Sequence, residues 1–281
     1  MSNRRKKKIK INKKRLTISI LVAVAIIAVV IFAIVKAVDG KKAEEKPTTT
    51  SEKPSSSTTQ EKTTRPTTTP VPVSDPKKFI DAKSIKIDES KWNLTLLNRS
   101  YKLPAGYVPK TQKITLSSKD PRQTEKALAQ TLDTRVAAEY QKMYDAAAKQ
   151  GIYLTPYSGY RSIEFQAQIF ENYININKKK GYSLEEAKYQ ASQTVLPPGT
   201  SEHNMGIAMD IVNTKNEFEK SEEYKWLDKN AQNFGFILRY PKDKVNVTKI
   251  IYEPWHWRYV GVKTAKEMKS SGLCMEEFFA K

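Results

Sequence analysis

The sequence predicts an α+β fold with a small, mostly antiparallel sheet flanked by helices, preceded by one transmembrane helix and a disordered stalk. Three observations support this prediction. Helical periodicity dominates the first part of residues 77–281, and short strand-like patterns are concentrated in the later part. An apolar run and a polar, proline-containing stretch come before residue 77. Helices and strands that are separated along the chain are typical of α+β domains.

The amino-terminal segment combines a basic tail with an apolar run of membrane length. Residues 1–15 contain nine Lys or Arg and no acidic residue, and residues 16–35 are apolar except for two hydroxyl side chains. Twenty helical residues span about 30 Å, which matches a bilayer core. Because Lys and Arg beside a span stay in the cytoplasm, we expect a cytoplasmic tail over 1–15 and a transmembrane anchor over 16–38. The protein would then be a single-pass protein of the cell membrane whose folded domain is extracytoplasmic.

A cleaved signal peptide is the alternative interpretation of this segment, since it would share the basic start. Its apolar region usually spans about 7 to 15 residues, which is shorter than the run observed here. Residues 35–37, with the sequence Val-Lys-Ala, form only a weak cleavage site. A retained anchor is therefore favoured.

Residues 39–76 indicate a Ser/Thr/Pro-rich linker. Of the thirty residues from 47 to 76, 21 are Ser, Thr or Pro and none is aromatic. Such a stretch cannot bury enough apolar surface to offset its ordering entropy. Its prolines favour an extended form of about 3.1 Å per residue, so it can hold a domain up to roughly 90 Å from the membrane.

Three helices are predicted in the first part of the domain over 77–281. Apolar side chains recur at helical spacing over residues 124–150, and Gly151 supplies the stop. A short strand over 152–158 and a helix over 162–179 follow. Ser183 and Glu186 form a capping-box pattern for the third helix, which ends before the Pro-Pro-Gly sequence at 197–199.

The later part of the domain is richer in predicted strands. Residues 206–212 alternate, with Ala208, Asp210 and Val212 on one face. Residues 222–234 are predicted to be helical and to end at Gly235. The remaining predicted elements are strands over 236–240, 249–252 and 257–260, and a helix over 263–270.

The composition argues against several classes of protein. Lys and Arg number 49 against 30 Asp and Glu, a formal net charge of +19, which would ordinarily suggest nucleic acid as a partner. Because the cytoplasmic tail supplies much of this excess, we expect no nucleic-acid binding. The one cysteine, Cys274, excludes an internal disulfide framework and a Cys-rich zinc module, and we expect it to be a packed apolar residue.

Metal or acid–base chemistry must use carboxylates or the only two histidines, His203 and His256. Together with Asp210 they make a three-ligand set that leaves one tetrahedral zinc position open for water. A carboxylate three residues before a ligand, as Glu253 is, can lie beside the metal and accept a proton from water.

The spacing alone also permits a structural interpretation, in which each histidine packs in the core and backbone donors hold Asp210. An ionised carboxylate between Met209 and Ile211 is costly to bury without a cation. Both interpretations remain open on the spacing alone.

Three ordered motifs resemble the VanY-type D-alanyl-D-alanine carboxypeptidase family of zinc peptidases. They are Ser-Gly-Tyr-Arg-Ser at 158–162, Ser-x-His-x-x-Gly-x-Ala-x-Asp at 201–210 and Glu-x-Trp-His-x-Arg-Tyr at 253–259. The likeness covers roughly residues 92–265. It implies one zinc ion held by His203, Asp210 and His256, with Glu253 as the general base and Arg161 on the substrate carbonyl and its developing oxyanion. It also implies substrate contacts at four further positions, Gln166, Ser201, Tyr240 and Trp255.

The resemblance predicts a membrane-anchored zinc D,D-carboxypeptidase that removes the terminal D-alanine from peptidoglycan stem peptides or their precursors. Its partners would be these peptides and, through residues 16–38, the membrane, with no nucleic acid. The same zinc machinery could instead serve an L,D-carboxypeptidase, a dipeptidase or an endopeptidase acting on cell-wall peptides. A non-catalytic cell-wall binding module is an alternative of a different class. The motifs specify the metal site but not which peptide bond is cut.

Overall fold

The computed structural model describes residues 81–280, which form eight short strands. The strands are β1 (Lys83–Ser84), β2 (Tyr101–Lys102), β3 (Thr111–Lys113), β4 (Thr131–Asp133), β5 (Pro156–Ser158), β6 (Ala208–Ile211), β7 (Phe236–Leu238) and β8 (His256–Tyr259). The main sheet is antiparallel, with the spatial order β5-β6-β8-β7. The other strands pair separately, β1 parallel to β2 and β3 antiparallel to β4.

Eight α-helices surround these sheets in the described residues. They are α1 (Glu125–Leu128), α2 (Thr134–Ala148), α3 (Ile163–Lys179), α4 (Leu184–Ala191), α5 (Glu222–Asn230), α6 (Val245–Thr248), α7 (Val262–Ser271) and α8 (Met275–Phe279). Short 3₁₀ segments occur at Trp92–Leu94, Glu202–Met205, Asn216–Lys220, Ala231–Phe234 and Lys242–Lys244. The predicted mixture of helices with small sheets is confirmed.

The predicted tail, anchor and linker over 1–76 lie outside the described residues. Between residues 81 and 280, no helix combines the length and the apolar character that a membrane span requires.

The long helix predicted over 124–150 is wrong in its first third. Instead, α1 is a single turn, β4 follows it, and α2 begins only at Thr134. The Asp133 side chain accepts the Arg135 backbone N–H at 3.0 Å and so caps α2 at this point. Leu132 fits the helical period but is fully buried on β4, which pairs with β3. Pairing with a distant strand thus overrides local periodicity.

The buried face of α2 carries much of the main core. Five side chains at positions that share one helical face are fully excluded from solvent: Val136, Tyr140, Met143, Tyr144 and Ala147. They belong to the same cluster as Met209 and Trp257 on the main sheet. Full burial of one such large apolar side chain contributes roughly 1.5–3 kcal/mol, so this contact holds α2 against the sheet.

Helices α3 and α4 form a hairpin with its own small core. The Ser162 hydroxyl accepts the Phe165 backbone N–H at 3.1 Å, which places the start of α3 where the sequence predicts it. The capping box of Ser183 and Glu186 is present at the start of α4. The basic run 178–180 at the end of α3 is exposed to solvent, as a helix terminus usually is.

One predicted strand is absent and another ends earlier than predicted, and both differences occur where a non-glycine residue has a positive φ. Strand β6 ends at Ile211, because Val212 has φ 67° and leaves the strand direction. The strand predicted over 249–252 does not form, because Lys249 has φ 61° at the end of α6. The predicted strands over 152–158 and 236–240 are shorter in the structure, whereas helix α7 matches its prediction.

The register of the main sheet fixes the position of the site described next. Asp210 on β6 lies directly opposite His256 on β8, and Met209 lies opposite Trp257. Side chains of opposed residues in an antiparallel pair project from the same face of the sheet. Two residues that are 46 positions apart in the chain are therefore neighbours.

Candidate active site

Two imidazoles and one carboxylate converge at the main sheet. Asp210 Oδ1 lies 3.1 Å from His256 Nδ1 and 3.4 Å from His203 Nε2. One ligand atom from each of the three buried residues lies within 4.8 Å of the others. The structure thus brings together the three residues that the spacing singled out.

A tight turn before β6 delivers His203 to this position. The 3₁₀ segment Glu202–Met205 begins at Ser201, whose hydroxyl accepts the His203 N–H at 3.4 Å, and ends at Gly206 with φ 69°. A Cβ on Gly206 would lie 2.7 Å from the backbone nitrogen of Asp133. The glycine of the second motif is therefore required both by backbone conformation and by the close approach of β4.

Each histidine has one nitrogen held from behind and the other directed at Asp210. The Nδ1–H of His203 donates to the Gly159 carbonyl at 2.8 Å, and the Nε2–H of His256 donates to Glu202 Oε2 at 3.1 Å. Outer partners of this kind fix the ring orientation of metal-binding histidines. His203 Nε2 is buried and has no hydrogen-bond partner among the described residues. An imidazole nitrogen that is not used in a hydrogen bond can serve as a metal ligand.

The three residues fit a zinc ion. At zinc–ligand distances of 2.0–2.1 Å, neighbouring corners of a tetrahedron are roughly 3.3 Å apart. The two measured separations from Asp210 Oδ1, 3.1 and 3.4 Å, agree with this spacing. Three protein ligands leave one position open, which is the arrangement of catalytic zinc sites.

The electrostatics of the three ligands also suit a cation. Burial opposes ionisation of Asp210, but the adjacent His203 and His256 outweigh it and hold the pKa of this carboxyl well below its usual range. Burial, helped by the charge of Arg161, lowers the pKa of His203 to about 4, so its ring is neutral at pH 7. For His256 burial is outweighed by hydrogen bonds to Asp210 and Glu202, which raise its pKa to about 9. Binding of a metal at His256 must therefore displace a proton.

Glu253 is a second buried carboxylate beside the three ligands. Its Oε2 lies 3.7 Å from His256 Nδ1, and the turn that joins them is closed by a hydrogen bond from the His256 N–H to the Glu253 carbonyl at 3.1 Å. Burial raises the pKa of Glu253 to about 8, with the nearby Asp210 adding to the effect. A carboxylate with a pKa near neutrality is suited to accept and return a proton at physiological pH.

Arg161 is a cation on the other side of Asp210. Its Nη2 lies 3.9 Å from Asp210 Oδ2, and its Nη1 donates to Gln166 Oε1 at 3.1 Å. Gln166 is almost fully buried, and its Nε2 donates to the Leu196 carbonyl at 2.6 Å. Both ends of the Gln166 amide are thus used within the protein. The Nε of Arg161 is buried and has no hydrogen-bond partner among the described residues.

These groups lie in one cleft of about 710 Å³. Trp255, which precedes β8, lines the cleft. Trp257 follows His256 on β8, so strand alternation turns it to the opposite face, where it packs in the core. The Tyr240 ring lies 5.0 Å from the His256 ring, between centroids. All nine residues that the sequence analysis assigned to the site line this cleft: Arg161, Gln166, Ser201, His203, Asp210, Tyr240, Glu253, Trp255 and His256.

A buried ion network lies behind the site, and the sequence motifs do not predict it. Glu202 Oε1 lies 2.7 Å from Arg239 Nε and 3.0 Å from Arg258 Nη1, and all three side chains are fully buried. Arg239 is also held by both carboxylate oxygens of Glu276, at 2.7 and 2.9 Å. Glu202 precedes a ligand directly, and this adjacency was the one available signal. Nothing in the local sequence connects Glu202 with Glu276.

The fold and the site define a class of protein, the zinc metallopeptidases with one metal ion and three protein ligands. Residues 129–262 match the family model of VanY, D-alanyl-D-alanine carboxypeptidase. The chain is also 38% identical over 191 residues to a D-alanyl-D-alanine carboxypeptidase of Enterococcus faecalis (strain ATCC 700802 / V583), with 68% of this chain and 67% of that protein aligned. The chain belongs to the VanY D-alanyl-D-alanine carboxypeptidase family.

Solved structures agree with this assignment. A variant of the vancomycin resistance D,D-pentapeptidase VanY in complex with Zn(II) is similar with a TM-score of 0.56 and 37% identity, over 67% of this chain and 99% of that one. The LdcB LD-carboxypeptidase is similar with a TM-score of 0.61 and 32% identity, over 74% and 97% of the two chains.

Proposed function

We propose that this protein is a zinc-dependent D,D-carboxypeptidase that removes the terminal D-alanine from peptidoglycan stem peptides or their precursors. One observation carries the proposal: His203 Nε2 is buried without a partner, beside Asp210 and His256, and Glu253 lies within 4 Å of this set. The substrate class is supported by membership of the VanY family.

In this proposal His203, Asp210 and His256 are the metal ligands. When bound, zinc supplies a Lewis acid for the scissile carbonyl and makes a water molecule acidic enough to lose a proton near neutral pH. Glu253 accepts that proton as general base and then returns it to the departing D-alanine amine. Arg161 donates to the carbonyl oxygen as negative charge develops on it, which is where a preorganised donor lowers the barrier most.

The remaining lining residues have positioning roles in this proposal. Ser201, Tyr240 and Trp255 contact the peptide, because each lines the cleft next to the ligands. Gln166 acts through Arg161, whose guanidinium it holds at 3.1 Å. An arginine that is already held by neighbouring side chains loses less conformational entropy when it binds an oxyanion, because its side chain is already oriented.

Mass spectrometry of stem peptides treated with the full-length protein, with and without a chelator, tests the activity. We expect chelator-sensitive release of one D-alanine from a pentapeptide that ends in D-Ala-D-Ala. Absence of release from tri-, tetra- and pentapeptide stems by zinc-loaded protein would contradict the proposal and favour a non-catalytic binding module. The buried Glu253 beside His256 argues against such a module, because binding of a peptide without cleavage does not require a general base.

An L,D-carboxypeptidase that acts on tetrapeptide stems is a second candidate, supported by the similarity to LdcB with a TM-score of 0.61. The ligands and Glu253 would serve both reactions equally. The two activities differ in the configuration of the residue before the scissile bond. Release of D-alanine from tetrapeptides but not from pentapeptides would favour the L,D-carboxypeptidase. Release from pentapeptides but not from tetrapeptides would favour the D,D-carboxypeptidase.

We further propose that residues 16–38 anchor the protein in the cell membrane, with residues 1–15 in the cytoplasm and the catalytic domain extracytoplasmic. The support is the basic tail followed by an apolar run of bilayer length. A linker over 39–76 would let the domain reach its substrate in the wall. Protease added to intact protoplasts should degrade the domain and leave a tag fused before Met1 protected. Recovery of the domain in the culture medium, without its first 37 residues, would indicate a cleaved signal instead.

A further inference from the structure

A cation lies on the lining of the cleft outside the group of catalytic residues. Lys126 is exposed on α1, and its Nζ lies 3.3 Å from the centroid of the Tyr157 ring. A lysine ammonium over an aromatic face is held there by the ring quadrupole. Lys126 takes part in no ion pair between residues 81 and 280. The Tyr157 ring therefore holds the Lys126 ammonium in place, but no carboxylate of the described residues neutralises its charge.

The backbone of Lys126 is tied to the zinc ligands by a chain of hydrogen bonds. Gln130 Nε2 donates to the Lys126 carbonyl at 2.8 Å, and Gln130 Oε1 accepts the Gly159 N–H at 2.8 Å. The carbonyl of Gly159 accepts from His203 Nδ1, also at 2.8 Å. The Gln130 side chain thus links the Lys126 backbone to Gly159, whose carbonyl accepts from His203. The position of Lys126 relative to the site is built into the fold.

No other charged side chain lines the described cleft outside the reaction centre. The remaining charged lining residues are Arg161, Asp210 and Glu253, together with the two histidines. The wall next to Lys126 is aromatic, with Tyr157, Tyr160 and Phe165. A single cation among aromatic side chains attracts an anionic group of whatever lies along that wall.

The place of Lys126 in the cleft indicates which part of a bound peptide it contacts. Lys126 lines the same cleft as His203 and Glu253, but in the described part of the chain it forms no ion pair with Asp210 or Glu253. A carboxypeptidase has only one residue beyond the scissile bond. That residue lies at the reaction centre, so an anionic group at Lys126 belongs to the part of the peptide before the bond.

We propose that Lys126 forms a carboxylate-binding subsite for the part of the stem peptide that precedes the scissile bond. This proposal rests on the proposed peptidase function. In peptidoglycan stems the carboxylate can come from two sources, a D-glutamate at the second position or a meso-diaminopimelate at the third. Amidation of the D-glutamate, or lysine at the third position, removes the respective charge. Lys126 would then distinguish amidated from free stems.

Steady-state kinetics of the full-length, zinc-loaded protein on four synthetic pentapeptides tests this subsite. The peptides combine D-glutamate or D-isoglutamine at the second position with lysine or meso-diaminopimelate at the third. For the peptides that carry the recognised carboxylate, Lys126→Met should lower kcat/KM by about three- to tenfold through KM, the range of exposed to partly buried charge pairs. The effect should shrink at high ionic strength. Lys126→Arg should restore the preference, and Lys149→Met, at an exposed lysine after α2, is the matched control.

The pattern across the four peptides decides the outcome. A loss confined to the D-glutamate peptides or to the meso-diaminopimelate peptides identifies the source of the carboxylate. An equal loss on all four, or none on any, would overturn the subsite while leaving the peptidase activity intact. Failure of the wild-type protein to release D-alanine from any peptide would refute the proposed function itself, and the subsite with it.

Discussion

Glu202 contacts His256 Nε2 at 3.1 Å through one carboxylate oxygen, while its other oxygen is paired with Arg239 at 2.7 Å. The proposed ligand His256 is thus held by a residue that is itself fixed in a buried ion network. Burial opposes ionisation of Glu202, but Arg258 and Arg239 outweigh it and hold its pKa well below its usual range. Through Glu276 the network continues to α8 near the carboxyl end of the chain.

Glu202→Gln should weaken zinc binding by about 10- to 100-fold, because outer partners of metal-bound histidines contribute that much to affinity. The change also leaves Arg239 and Arg258 with less negative charge in a fully buried position. Breaking a buried ion pair costs about 3–5 kcal/mol. Competition with a chromophoric chelator measures the zinc affinity, and circular dichroism shows whether the variant folds. Unchanged zinc affinity in a folded variant would contradict the positioning role of Glu202.

Glu276→Gln tests the far end of the network in a milder way. The variant should lose about 2 kcal/mol of unfolding free energy at pH 7, the contribution of hydrogen bonds to a charged group. Although burial opposes it, Arg239 lowers the pKa of Glu276 below its ordinary value of 4.5. A group with a lowered folded pKa stabilises the fold above its unfolded pKa, and this stability is lost as the pH falls. Urea unfolding of both proteins should therefore show a difference that is constant near neutrality and shrinks below pH of about 4.5.

Glu253→Gln should bind zinc normally but release D-alanine about 10²- to 10⁴-fold more slowly, the usual contribution of a general base. The amide keeps the shape of the side chain and cannot accept the proton. Elemental analysis gives the zinc content, and D-alanine release gives the rate. Near-normal turnover in this variant would remove Glu253 from the mechanism.

His203→Ala should lose the metal. Two of the three ligands remain, and the Gly159 carbonyl loses the N–H that it now accepts at 2.8 Å. We expect less than stoichiometric zinc after dialysis, with the fold retained by the core on α2. A variant that keeps one zinc per chain by elemental analysis would refute the assignment of His203 as a ligand.

Gly206→Ala should destabilise the protein by more than Gly151→Ala, which serves as its control. Both glycines have a positive φ, 69° and 74°, and an alanine in that region costs about 1–2 kcal/mol. Only at Gly206 does an added Cβ meet a neighbour, the backbone nitrogen of Asp133 at 2.7 Å; at Gly151 nothing lies within 4 Å. Thermal unfolding of the two variants compares them. Equal losses of stability in the two variants would show that β4 can move away from the added methyl group with no loss of stability.

Local signals in the sequence were sufficient for several helices. The cap at Ser162, the capping box at Ser183 and the stop at Gly235 act over three or four residues, so the relevant contacts are already adjacent in the chain. The helix over 124–150 failed for the opposite reason. Leu132 belongs to β4 because of its pairing with β3, some twenty residues earlier, and helical periodicity contains no information about that partner.

The sequence by itself indicated the chemistry proposed for this protein, because with only two histidines few ligand sets are possible. The resemblance of the motifs around them to the VanY family then implies the ligands and the role of Glu253. Only the tertiary structure determined which side chains surround the proposed ligands and hold them in place. The register of β6 against β8 brings Asp210 to His256, the network from Glu276 to Glu202 supports the ligand from behind, and the packing of α1 on β5 places Lys126 at the cleft. These are contacts between residues far apart in the chain, and they exist only once burial of the shared core has fixed the elements against one another.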